Sequence, residues 1–410
     1  MAGFSGHYSG LKTNFVNATI WMAQLPSPMS FDNLYDSVTG RRVTRAKSPN
    51  GNPETTFSGF FPASSSLVWH SPTQHTPPET IAISSPARLG DPFFPTYQLG
   101  VGGSCAQFDP PEGFWCSSNP PAGNQYVVPS GITVPPFLFP TEKNWSYAGQ
   151  GAIFHAFHCD RWGDWKFAVD KADPHTGNIT WTLGGFQEAR GCANGDSFMM
   201  ESLLDFLDDY DEWYLQPSTN ILYVMRNNSD PPPSDNTTYI ATHIDCLIRL
   251  EGSVEDVVHT VTLSGVTFSH SSPTFMKSFL MPSGGDWSVH RDAAVVLQGT
   301  EGVVVENCSF IGIGGNAVLI TAYNRDAFIG YSQFRFVGDS AIVSVGNVNG
   351  IDGLLQDVPI NTRIVSNIAS EIGLYVKQSG FYYHALSANA TVDGNIFFNM
   401  PRAGININGV

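Results

Sequence analysis

The segment DWSVHRD brings Asp286, Trp287, His290, Arg291 and Asp292 into one short stretch. An aromatic face, an imidazole that titrates near neutrality and charges of both signs are more than a turn requires. Further charged or titrating groups follow at Asp339, Asp352, Asp357, Glu371, Lys377, His384 and Arg402. Two chemistries fit such a set. Hydrolysis of a glycosidic bond takes two carboxyl groups, one protonated and one ionised, about 5 to 10 Å apart. Elimination from a uronic acid takes a base beside the sugar carbon and Ca²⁺ or Arg on the carboxylate. Asp292, Asp339 and His290 are the candidate catalytic groups, and Trp287, Arg291, His384 and Arg402 the candidate sugar-binding groups. A plainer reading stands beside each. Asp is an ordinary turn residue, and Arg402, after Pro401, could cap a corner carbonyl.

No metal or cofactor is expected. The acidic run Asp205, Asp208, Asp209, Asp211 and Glu212 lacks the glycine and spacing of an EF-hand and reads as a solvated helix end. His155 and His158 fall on opposite faces of an expected strand and read as structural. No GxSxG, HExxH, P-loop or dinucleotide fingerprint occurs, and IGIGG at Ile311 reads as a turn.

Groups so far apart in sequence meet only if the fold brings them together, and beyond Thr242 the chain repeats itself. One set of apolar alternations runs CLIRLEG, AVVLQGT, AVLITAY, AIVSVGN, FYYHALS and GININGV. A second set lies between them: VTLSGVTFSHS, VVVENCSFIGIGG, AFIGYSQFRFVGD, TRIVSNIASEIG and TVDGNIFFNMP. Most recur after roughly 22 to 24 residues, one coil of a β-helix with Val, Ile and Phe stacked inside. Leucine-rich repeats need LxxLxLxxN, which is absent. Asn307, Asn367 and Asn395, with Ser332, are expected to form a side-chain ladder along one corner.

The preceding half has a different texture. Residues from about Phe60 to Glu142 are dense in Pro and Gly, the composition of loops and edge strands. Strands are expected at GAIFHAF, WKFAVDKA and NITWTLGG, and a hairpin at EWYLQPSTNILYV. SFMMESLLDFLDD reads as a short helix capped by Ser197. The expected fold is therefore all-β. Residues 241–410 form a right-handed parallel β-helix, a solenoid cut short at its C-terminal end; residues 1–240 form a turn-rich β accessory region with one short helix near 197–209.

Composition narrows the partners. A net charge of −16, with RRVTRAK the one basic run, argues against nucleic acid and would suit a neutral sugar ligand. No stretch is long and apolar enough to span a membrane, and no signal peptide is visible at MAGFSGHYSG. Cys105 with Cys116, and Cys159 with Cys192, are plausible disulfides. Sequons begin at Asn17, Asn144, Asn178, Asn227, Asn236, Asn307 and Asn389. Together these favour a secreted or lumenal glycoprotein, expected to be a monomer.

QEARG, ESLLDFLDDYDEWYLQPSTNILY, DWSVHRDAAVVLQGTEGVVVENCSFIGIGGNAV and FFNMPRAGININ resemble the pectin-lyase-like right-handed β-helix repeat proteins, of the type of glycoside hydrolase family 141. WMAQLPSPMSFDNLYDSVTGRRVTRAKSPN is similar to the portion that precedes the helix in those proteins, so the resemblance runs from about Trp21 to the end. It implies a glycoside hydrolase-like activity without a cofactor, acting on a polysaccharide or glycan. It also implies further coils after PRAGIN, so part of the catalytic site can lie outside this chain. A non-catalytic glycan-binding or scaffold module is the alternative. A Ca²⁺-dependent polysaccharide lyase is the weakest reading, because no acidic ladder recurs at coil spacing.

Overall fold

The structure, a computed structural model, describes residues 6–7, 18–50, 68–69, 72–75, 126–129, 131–134, 145–157, 163–185, 197–230, 239–277, 289–346 and 357–407. It is nearly all β. Among the described residues the helical turns are 3-10 turns at Ala148–Gln150 and Leu204–Phe206. The helix expected near 197–209 is thus corrected: Ser197–Glu201 is a strand, paired antiparallel with Ile153–Phe157. Its apolar run alternates, with Phe198 and Met200 in the main accessory core and Met199 against Phe157. Burial on both faces favours a strand over a one-sided helix.

Two seven-stranded sheets, with a two-stranded one of Pro72–His75 and Tyr126–Pro129, form the described accessory region. The first runs Gly6–His7, Ala18–Gln24, Ile221–Asn227, Glu212–Gln216, Arg42–Arg45, Leu34–Asp36 and Tyr239–Ala241. The second runs Lys47–Ser48, Ser197–Glu201, Ile153–Phe157, Asp164–Asp173, Asn178–Gly184, Gly131–Thr133 and Val68–Trp69. Ile20, Tyr223 and Met225 of the first share a core with Phe154, Phe167 and Trp181 of the second. The Phe167 and Trp181 rings stack with centroids 4.1 Å apart. The hairpin expected at Pro217 is present, closed by Asn220 at φ 56° with its N–H donating to Gln216 O.

From Ile248 onward the chain winds through three parallel sheets in a fixed order, consistent with a parallel β-helix. The long sheet holds Ile248–Glu251, Ala293–Glu301, Asn316–Arg325, Ile342–Val345, Gly380–Ala385 and Ala403–Ile407. A middle sheet runs from Thr262–Ser264 to Thr391–Asp393, and a closing sheet from Thr267–Ser269 to Ile396–Phe398. In-register pairing puts like residues above one another. Phe268, Phe310 and Phe334 stack at 4.8 Å per step, the spacing of neighbouring strands. Ala369 interrupts the column, and Phe381 fills the gap, 5.1 Å from Phe397. The outer face of the long sheet is buried as well, through Val296, Leu319, Val343 and Tyr383, which explains its continuous apolar runs.

The corner ladder exists through Ser332, Asn367 and Asn395, with Cys308 in the place expected for Asn307. Ser332 Oγ accepts from Cys308 N, Asn367 Oδ1 from Ser332 N, and Asn395 Oδ1 from Asn367 N, each at 2.9–3.0 Å. Asn307 stands outside it, exposed and at φ 51°, a left-handed turn position that Asn tolerates. Cys246 and Cys308 are free thiols. Cys105, Cys116, Cys159 and Cys192 lie outside the described residues.

Candidate functional site

The turn that opens each long-sheet strand recurs up the coil, so residues distant in sequence share one corner. His290, Arg291, Asp292, Asp339 and Arg402 all fall there. Asn316 ties three coils together: its Nδ2 donates to His290 O and Asp292 O at 2.8 and 3.0 Å, and its Oδ1 accepts from Ser340 N at 3.1 Å.

Their side chains diverge. Asp292 Oδ1 accepts from Arg249 Nη2 at 2.7 Å and from Ala293 N at 2.9 Å. Arg291 donates to Thr321 Oγ1 and Gly346 O, both at 2.7 Å. His290 is buried and Arg402 exposed. Asp339 is 1% exposed, and among the described residues neither carboxyl oxygen has a hydrogen-bond partner. Burial pushes it up to about 7, against the opposing pull of the Ser340 N–H and Lys166. His384 lies away from the corner, in line with Ser344, with Nδ1 2.9 Å from Tyr382 Oη and Nε2 3.0 Å from Ser387 O. Burial lowers its pKa. Trp287, Asp286 and Asp352 lie outside the described residues.

A cleft of about 630 Å³ opens elsewhere, where the accessory sheets meet the closing sheet of the coil. The segment 35–47 contributes Tyr35, Arg41, Arg42, Arg45 and Lys47; the second accessory sheet contributes His155, Asp164 and Glu201. The coil contributes Gly312, Phe336, Glu371, Tyr375 and Lys377. Specific contacts hold the walls. Tyr35 Oη donates to Gly312 O at 3.0 Å. Gly312, at φ +66°, admits the ring; a Cβ there would lie 3.1 Å from it. Tyr375 Oη accepts from Arg42 Nη1 at 2.6 Å and donates to Asn33 Oδ1. Asp164 accepts from Lys166 Nζ at 2.7 Å and from Lys377 N at 3.0 Å, joining accessory sheet to coil.

Glu201 Oε1 lies 3.3 Å from His155 Nε2 and 3.4 Å from Arg45 Nη1. Burial alone would raise this carboxyl, but His155, Arg45 and Lys47 outweigh it and hold it at about 2. Burial in turn lowers His155, against the opposing pull of Glu201. Burial also lowers Lys47 and Lys166, although acidic neighbours oppose it. The cleft thus sets a fixed carboxylate among guanidinium donors and aromatic faces. Among the described residues no cluster of His, Cys, Asp and Glu could hold a metal ion, and no helix is long and apolar enough to cross a membrane.

Sequence reading took His155 as structural, placed Glu201 in a helix and passed over Tyr35, Arg42, Arg45 and Lys47. RRVTRAK, a basic run in an acidic chain, was the available signal. Glu371 and Lys377 were among the charged candidates and do line the cleft. The acidic run ends differently from the expected solvated helix end: Glu212 is buried and accepts the Asp208 and Asp209 N–H groups at 3.1 Å.

No family model matches the chain, and no curated protein matches it. Among solved structures it is similar to one described as a glycoside hydrolase, with TM-score 0.62 and 13% identity, covering 99% of this chain and 64% of the other. The catalytic domain of a GH87 α-1,3-glucanase in complex with nigerose aligns at TM-score 0.22 and 8% identity, over 63% of this chain and 61% of the other. This chain therefore spans less than two thirds of the length of the solved chains it matches, and the likeness to the glycoside hydrolase is one of fold.

Proposed function

We propose that this chain is a carbohydrate-active, glycoside hydrolase-like protein whose winding is a right-handed parallel β-helix of the pectin-lyase-like type. Its sugar lies in the cleft between the accessory sheets and the coil. One observation carries the reading: a concave space of about 630 Å³ combines the Tyr375 and Phe336 rings with the ionised Glu201 carboxylate and the Arg42 guanidinium. Sugars are bound by stacking their C–H faces on aromatic rings and by forked hydrogen bonds to charged side chains. The shared fold with a glycoside hydrolase supports the architecture.

Hydrolysis needs a second carboxyl, and we assign it to Glu371, which Asn399 Nδ2 holds at 2.6 Å. Asp292 and Asp339, with His290, form the rival set at the corner. Turnover of a panel of glycosides by Glu201→Gln and Glu371→Gln, beside Asp292→Asn and Asp339→Asn, decides between them. The cleft assignment expects a loss of about 10²-fold or more in kcat for the first pair, with substrate binding retained. A loss confined to the second pair moves the site to the corner. The commitment of Glu201 to Arg45 and His155 favours a second reading, a glycan-binding module without turnover. Binding by the wild type with no turnover of any glycoside would establish it.

A further inference from the structure

We infer that the glycan seated in this cleft is anionic, carrying a carboxylate or sulfate that docks on Arg42, with Arg41 and Lys47 beside it. This rests on the glycan reading of the cleft and adds the charge of the ligand. The chain carries 36 Asp and Glu against 20 Lys and Arg, yet the cleft inverts that balance. Arg41, Arg42, Arg45, Lys47 and Lys377 line it, against Asp164, Glu201 and Glu371. A quarter of the chain's basic residues and a twelfth of its acidic ones thus gather in one concavity.

The acids are already engaged. Asp164 is paired with Lys166 at 2.7 Å, Glu201 lies against Arg45 and His155, and Glu371 is held by Asn399. Arg42 is not engaged in this way. Its Nη1 donates to the Tyr375 hydroxyl, and among the described residues no carboxylate pairs with it. Glu201 acts on it only through space, together with the Tyr375 and Tyr35 hydroxyls. Its remaining N–H groups suit a planar, two-oxygen acceptor, which a neutral sugar lacks. The Arg42 guanidinium carbon lies 5.0 Å from the centre of the Tyr375 ring, within cation–π reach. Arg41 follows Gly40 on the exposed turn after Asp36 and stands where an entering chain would meet it. The net charge of −16 disfavours a polyanion on the chain as a whole, so a locally basic concavity is where an acidic ligand would be steered.

The test is calorimetric, on the whole chain, with four sugars and one control. The probes are an oligogalacturonide, its carboxyl-reduced counterpart, a sulfated galactan oligosaccharide without uronic acid, its desulfated counterpart, and a single-stranded oligonucleotide of similar charge. At least one acidic sugar is expected to bind, with its neutral counterpart about 10-fold or more weaker. The parent that binds separates carboxylate from sulfate. Arg42→Gln should weaken that binding about 10-fold, and Arg41→Gln about 3-fold without a change in melting temperature. If Arg42→Gln does not fold, Arg41→Gln combined with Lys47→Gln carries the same expectation. Equal binding of acidic and neutral sugars overturns the inference and leaves the glycan reading intact. Binding of no sugar in either form overturns both. Oligonucleotide binding as tight as that of the acidic sugars also overturns it, by exposing a generic polyanion surface.

Discussion

The coil and the accessory sheets are both β-structure, but they are stabilised over different sequence distances. In the coil each strand pairs with its counterpart in the next turn, as Phe310 with Phe334, so packing repeats and every column is read from its neighbours. In the accessory sheets the partners are remote: Ala18–Gln24 pairs with Ile221–Asn227, and Arg42–Arg45 lies parallel to Glu212–Gln216. The difference is reflected in their side chains. Repetition buries Val, Ile and Phe in dry columns, whereas the non-repeating sheets meet the coil through buried charges, Asp164, Lys166, Glu201 and Lys377. The cleft opens at that seam because a repeating surface is self-satisfied, while an irregular one leaves room for polar groups.

The comparison can be broken most directly in the cores. Phe334→Ala removes the ring that touches both Phe310 and Phe381, and it should cost about 3–5 kcal/mol in denaturant unfolding. Phe167→Ala should cost a similar amount but loosen only the accessory sheets. Hydrogen exchange would show each loss confined to its own half. Loss of protection across both halves from either change would mean that the two regions unfold as one.

At the seam, Lys166→Ala leaves Asp164 buried without its partner and should cost about 3 kcal/mol or more, while the pair change Asp164→Asn with Lys166→Met should recover most of it. Failure of the double change to recover stability would point to a network wider than the pair. Asp339 tests the same seam through pH. Its folded-state pKa, about 7, lies above the ordinary 3.8, so the protonated carboxyl favours the folded state. That contribution is full below pH 3.8 and is lost as pH rises to about 7, a decline of about 1.4 kcal/mol per pH unit. Asp339→Asn should remove the slope and stabilise the protein at pH 8. A stability curve in which both proteins fall in parallel from pH 4 to 7 would contradict the buried, unpartnered carboxyl.

The smallest effect separates neighbours on the coil. Asn367→Ala breaks a ladder in which its amide serves Ser332, Asn395 and Ile329, and should cost about 1–3 kcal/mol. Asn307→Ala, beside the ladder, gives up only a left-handed turn preference and should cost about 1 kcal/mol or less. Equal costs would remove the distinction between ladder and turn.

The apolar repeat from Val261 to Phe398 was legible because parallel, in-register pairing makes every coil present the same side-chain pattern, and local alternation is enough to recognise it. The hairpin at Pro217 and the strands at 153–157 and 164–173 were legible for the same reason, since adjacent strands leave a local trace. Residues 197–201 were misread because Phe198, Met199 and Met200 are apolar on both faces, and only the partner strand at 153–157 shows which period applies. Candidate residues at the corner were gathered by coil register alone, yet the direction of each side chain was not predictable: Asp292 turned to Arg249 and Asp339 inward. Of the cleft, only the basic run RRVTRAK and the charged candidates Glu371 and Lys377 left a trace in the sequence. Tyr35 and Arg42 belong to one accessory sheet, Glu201 to the other and Tyr375 to a bend after the coil strand Ile368–Ile372, with no common period. Sequence by itself determined the repeating, near-neighbour part of this protein; the tertiary structure alone decided where its charges meet, because long-range docking leaves no pattern in the residues that take part.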